Sequence, residues 1–109
     1  MNNNIEEILL KNGYRVCSNN IVFPYSDYFY QKCIKDEIGK KYSINLVHYP
    51  AHHNFLASWM VELTNNEPHL TFQEHRPKLE NEMDLIVIEN NCEKFWKTFN
   101  CEYCEKFSG

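Results

Sequence analysis

The apolar positions of this chain fall first at helical spacing, then alternate as in strands, then return to helical spacing. Ile5, Ile8 and Leu9 fit one helix face, with Asn3 or Asn4 as a cap and Glu6 and Glu7 in a first turn that suits negative charge. Gly13 stops this helix, which is too short to persist unless it lies on something larger. After Ser18-Asn19-Asn20 and Pro24, residues 27–36 carry the aromatic and β-branched content of a strand, and Glu37-Ile38-Gly39-Lys40 supplies a turn. The returning segment alternates Tyr42, Ile44, Leu46 and His48 against Ser43, Asn45 and Val47, completing a hairpin. Beyond Pro50 and the loop Ala51-His52-His53-Asn54, Ala57, Trp59, Val61 and Leu63 alternate with Ser58, Met60 and Glu62 in a third strand. Asn65-Asn66-Glu67-Pro68 turns the chain into a fourth strand, with Leu70 and Phe72 on one side and Thr71 and Gln73 on the other, ended by Pro77. Short connections make the four strands an antiparallel meander.

Past the polar stretch Lys78–Glu82, the residues Leu85, Ile88, Cys92, Phe95 and Phe99 form one stripe of a helix, with Asp84 as its natural cap. Met83–Ile88 also reads as a fifth strand, because Ile86, Val87 and Ile88 are β-formers; the unbroken stripe favours the helix. The expectation is a single α+β domain over residues 1–109. A short N-terminal and a longer C-terminal helix cover the Ile44/Leu46, Trp59/Val61 and Leu70/Phe72 side, and the other sheet face stays open.

Composition narrows function by exclusion. The net charge of −4 gives no general attraction to phosphate backbones, so nonspecific nucleic-acid binding is not expected. No apolar run reaches the roughly 20 residues of a membrane span, and Met1-Asn2-Asn3-Asn4 lacks the basic region of a secretory signal. Five cysteines without such a signal imply a reducing cytoplasm and free thiols, with Cys17, Cys33 and Cys92 acting as small apolar residues.

Cys101-Glu102-Tyr103-Cys104 has the spacing by which two thiolates meet one zinc ion or each other. A zinc site would need Cys92 or the adjacent His52 and His53 to complete it, and no second cysteine pair exists. The pair follows a helix rather than opening one, so it lacks the dipole that activates a redox thiol. No nucleophile elbow, phosphate loop or zinc-protease helix occurs, His48 reads as a core-edge imidazole, and neither a catalytic residue nor a cofactor is expected. Polar-tipped aromatics remain as interface candidates. Trp96, about 100° around the helix from Phe95, is placed at the rim or in solvent. Glu80, Glu82, Asp84, Glu89, Glu93, Glu102 and Glu105 make that helix acidic, suited to a basic protein groove.

Tyr30-Gln31-Lys32, the run Asp36-Glu37-Ile38-Gly39-Lys40-Lys41-Tyr42-Ser43-Ile44-Asn45, Phe95-Trp96-Lys97 and Cys101-Glu102-Tyr103 resemble a pattern of small accessory proteins from tailed phages and mobile elements. That resemblance implies a factor acting in the host cytoplasm on a host protein or defence ribonucleoprotein, some such proteins being inhibitors of CRISPR nucleases. A homodimer is left open. The binding residues expected on this reading are Tyr30, Lys32, Lys35, Lys40, Lys41, Glu89, Glu93 and Trp96, with Cys101 and Cys104 as metal ligands in the alternative of a small zinc- or thiol-dependent module.

Overall fold

The structure is a computed structural model that describes residues 3–18, 28–51, 56–65, 71–75 and 77–107. Helix α1 (Asn3–Lys11) leads into strands β1 (Arg15–Ser18), β2 (Tyr28–Lys35), β3 (Lys41–Tyr49), β4 (Ser58–Asn65) and β5 (Thr71–His75), and α2 (Glu82–Phe107) closes the chain. Each strand pairs antiparallel with the next, giving one sheet in the order β1-β2-β3-β4-β5. The expected meander is therefore correct in kind but has five strands instead of four. The addition, β1, is a four-residue strand, largely exposed, that among the described residues pairs with β2 alone, from Arg15 opposite Gln31 to Ser18 opposite Tyr28. Arg-Val-Cys-Ser has too few alternating positions to announce a strand by itself; its pairing with β2 defines it. The asparagine caps expected for α1, the turn at 66–68 and the loop at 52–54 have side chains or backbone outside the described residues.

The end of α1 follows from one glycine. Gly13 adopts φ 94°, in the left-handed region where a Cβ is disfavoured. There the Tyr14 N–H donates to Leu9 C=O at 3.0 Å and the Gly13 N–H to Leu10 C=O at 3.2 Å, the paired bonds of a Schellman motif. The motif brings buried Tyr14 beside buried Leu9, so the helix stop also seals part of the core. At the start of α2, Asn81 Oδ1 accepts the Asp84 N–H at 3.0 Å, and Asp84 Oδ2 reaches back to the Glu80 N–H at 2.9 Å. The cap is thus Asn81 rather than Asp84, whose carboxylate accepts instead from the residue before the cap.

The core lies between the helices and one sheet face, where Tyr30, Tyr42, Ile44, Leu46, Val61 and Leu63 meet Ile5, Leu9, Leu85, Ile88, Cys92 and Trp96. The strand alternation read in the sequence holds, and Met83–Ile88 is helical. The stripe of α2 is rotated, however. Trp96, expected at the rim or in solvent, is 4% exposed, while Phe95 is only half-buried and the Phe99 side chain lies outside the described set. Leu85, Ile88, Cys92 and Trp96 fall at steps of three, four and four, which tracks the 3.6-residue turn as closely as the stripe through Phe95 does. Of the two faces, the buried one is that whose indole has a polar partner beneath it.

The other sheet face is not open as expected. Val47 and Met60, opposite each other on β3 and β4, are buried with Phe29 and Tyr49 packed against them, and Asn45 and Glu62 are buried too. Gln31 Nε2 donates to Asn45 Oδ1 at 2.9 Å and Asn45 Nδ2 to Thr64 Oγ1 at 3.2 Å, so a polar row satisfies its own groups across three strands. Burial pushes the Glu62 carboxyl above its ordinary range.

Leu85 has no exposed surface, whereas Ile86 on the outer side of α2 is 43% exposed. Leu85→Ala is expected to lower unfolding free energy by about 2–5 kcal/mol. Ile86→Ala should change it by no more than about 0.5 kcal/mol, with urea denaturation as the measure.

Candidate interaction site

The turn between β2 and β3 is built by one carboxylate. Asp36 Oδ1 accepts the Ile38 N–H at 3.0 Å and the Lys40 N–H at 2.8 Å, and the Asp36 N–H donates to Lys40 C=O at 2.8 Å. Gly39, at φ 89°, supplies the positive φ that lets the chain reverse. The second oxygen, Oδ2, accepts the Trp96 indole N–H at 2.8 Å. One side chain therefore fixes the hairpin tip and ties it to the middle of α2. The Trp96 N–H foremost, then the backbone donors, hold the Asp36 carboxyl below its ordinary range. Trp96 also stacks on Tyr42, with ring centroids 4.8 Å apart. Burial, with the charges of Glu93 and others adding to it, pushes the Tyr42 phenol up to about 12.

A second tie lies one strand over. Lys32 Nζ is 2.9 Å from Glu89 Oε2, the Tyr14 hydroxyl donates to the same oxygen at 3.0 Å, and Lys32 Nζ stands 5.5 Å above the Tyr14 ring. Glu89 thus joins α2 to β2 and to the link between α1 and β1. Burial and Glu89 together push the Tyr14 phenol far above its ordinary value, so it stays a donor.

Between these ties the hairpin and α2 border a recess of about 340 Å³, lined by Lys32, Lys35, Asp36, Glu37, Tyr42, Glu89, Glu93, Trp96 and Lys97 among others. Of the expected binding residues, Lys32, Lys35, Glu89, Glu93 and Trp96 come together here. Trp96 is a floor residue rather than a protruding aromatic. Lys40 and Lys41 are exposed at the hairpin end but do not line the recess, and Lys41 pairs across the strands with Lys35. Tyr30 is separate from the group: it is 1% exposed and donates its hydroxyl to Glu6 Oε1 at 3.1 Å, a core role. Asp36, Tyr42 and Lys97 belong to the site without having been picked out of the sequence as binding residues. The turn chemistry of Asp36 before Gly39 is the available signal for the first, and Tyr42 stands in the sequence both on the core face of β3 and among the polar-tipped aromatics. At the rim, Lys97 pairs with Glu93 at 2.9 Å along the helix, both side chains more than half exposed. Solvent screens so exposed a pair, so a partner's charge can displace either member at little cost.

The cysteines disperse. Cys92 is buried, its thiol pushed up to about 12 mainly by burial. Cys17 is half-buried, and Cys33 is exposed with Sγ 3.4 Å from Ser43 Oγ. Cys101 and Cys104 lie within α2 rather than after it, with side chains outside the described set. Among the described residues, no group of three or more His, Cys, Asp and Glu is placed to hold a metal ion, and no helix is long and apolar enough to cross a membrane. His48 packs edge-on to Trp59 with centroids 4.9 Å apart, its pKa lowered chiefly by burial. Protein-family models, curated proteins and solved structures contain no match to this chain.

Because Asp36 is held below its unfolded pKa of about 3.9, the stability it contributes is fully present above that pH. It is lost as pH falls through the lower folded value. Asp36→Asn is therefore expected to reduce stability at neutral pH and to flatten the acid limb of the stability–pH curve, measured by denaturant midpoints between about pH 2 and 6.

Proposed function

We propose that this protein is a non-enzymatic binding factor that docks on a larger protein through the recess between the β2–β3 hairpin and α2. The observation that supports the reading is the division of labour in that recess. Asp36, Glu89, Lys32 and Trp96 are engaged with one another in holding the elements together, whereas Lys35, Glu37, Glu93 and Lys97 present charge of both signs at its edge. An aromatic floor inside a charged rim is the composition of protein-recognition patches, and charges of both signs select a partner by complementarity and register.

The resemblance to phage and mobile-element accessory proteins gives the partner its context: a host protein complex, of which CRISPR effectors and other antiviral ribonucleoproteins are the leading class. Inhibition would follow from occupying a surface the complex needs. The acidic α2 suits a basic groove on such a partner.

Capture of the partner from host lysate, identified by mass spectrometry, tests the proposal. Lys35→Glu with Glu93→Lys is expected to reduce captured partner about tenfold or more while leaving the denaturation midpoint unchanged, since both residues lie at the rim. Equal capture by wild type and this variant would remove the recess as the contact. Cys101→Ser with Cys104→Ser is expected to leave capture intact, and its loss would point instead to the thiol- or zinc-dependent alternative.

A further inference from the structure

A second recess lies at the opposite end of the sheet from the hairpin tip, where β2 begins and β3 ends. It measures about 170 Å³ and is lined by Ile5, Glu6, Tyr30, His48, Trp59, Leu79 and Glu80. Its walls are aromatic on the sheet side: Tyr30 and Trp59 sit with ring centroids 6.1 Å apart and 44° between planes, and His48 lies edge-on to Trp59. Ile5 and Leu79 supply the helix-side apolar wall, and two carboxylates, Glu6 and Glu80, are the acidic members of the lining. Glu6 is held in place by the Tyr30 hydroxyl at 3.1 Å. Glu80 is exposed; its backbone N–H serves the α2 cap, so its side chain is not part of that bond. Among the described residues that line the recess there is neither lysine nor arginine.

Faces of electron-rich rings attract cations, and that attraction strengthens where water is excluded. Carboxylates beside the rings add a second attraction of the same sign, while the apolar wall suits methyl groups better than a hydrated ammonium. The size also agrees. A cavity of about 150 Å³ accommodates benzene, and a trimethylammonium group is no larger.

From this lining we infer that the Tyr30–Trp59–His48 recess is a binding site for a methylated organic ammonium group, with Glu6 and Glu80 as its counter-charges. The shared chemistry is the quaternary ammonium head, carried either by a small molecule such as choline or by a trimethylated lysine on a protein. The site is independent of the hairpin recess, so it stands or falls separately from the docking proposed there.

The test uses the full chain and follows the two indole N–H signals by NMR, with Trp96 as an internal reference at the far end of the sheet. Choline, its uncharged isostere 3,3-dimethylbutan-1-ol, and peptides carrying lysine or trimethyllysine are titrated in parallel. The expected result is movement of the Trp59 signal alone, with choline or the trimethyllysine peptide binding about threefold to thirtyfold more tightly than the neutral isostere. Glu80→Gln, at an exposed side chain, is expected to weaken the cation and leave the neutral compound unaffected. Tighter binding of the trimethyllysine peptide than of choline assigns the ligand to a protein partner, and the reverse order to a free small molecule. Equal binding of choline and its isostere, shifts at Trp96 instead of Trp59, or no shift with any probe would overturn the assignment.

Discussion

The two oxygens of Asp36 set the geometry on which the rest of the molecule depends. One closes the turn between β2 and β3 by accepting two backbone N–H groups, and the other receives the indole N–H of Trp96. Without the second bond, Trp96 would place an unsatisfied donor among Tyr42 and its apolar neighbours, which costs more than a hydrogen bond contributes when made. The rotation of α2 about its own axis follows. Turned one residue further, the helix would bury Phe95 fully and expose the indole, leaving the hairpin tip with no tertiary anchor. The Lys32–Glu89–Tyr14 cluster adds a second tie, joining the helix to β2 and to the α1–β1 link.

One recess lies at the hairpin end of the sheet and the other at the opposite end. Between them Leu85, Ile88 and Cys92 join Ile44 and Leu46 in the core. At the hairpin end the recess is bordered by charged side chains from both the hairpin and α2. At the other end it is closed by α1, whose Ile5 and Glu6 face the aromatic end of the sheet. Charge chemistry is thus concentrated at one pole and ring chemistry at the other, on a chain whose net charge is only modestly negative.

Much of this was legible in the order of residues. Alternation in Tyr42–His48 and Ala57–Leu63 gave the core face of the central strands, because a half-buried strand must repeat every second residue. Gly13 and Gly39 marked the helix stop and the turn for the same backbone reason. What the sequence hid were features defined by a partner. β1 is a strand only beside β2. Asn81 caps by accepting the Asp84 N–H. Trp96 is inward because Asp36, 60 residues earlier, waits for its N–H. Val47 and Met60 alternate as though facing solvent, yet central position in the sheet surrounds them with Phe29 and Tyr49. The lysines around the hairpin also have separate partners: Lys32 pairs with Glu89 of α2, whereas Lys35 lies opposite Lys41 across the strands.

A double-mutant cycle between the hairpin tip and the helix addresses the central coupling most directly. Trp96→Phe keeps the ring but removes the donor, Asp36→Ala removes the acceptor, and the stability of each single variant and the double variant is read from urea denaturation. Strong non-additivity is expected, the second substitution costing much less once the first is made. Additive losses would mean that the two side chains contribute independently, and that the bond does not set the orientation of α2.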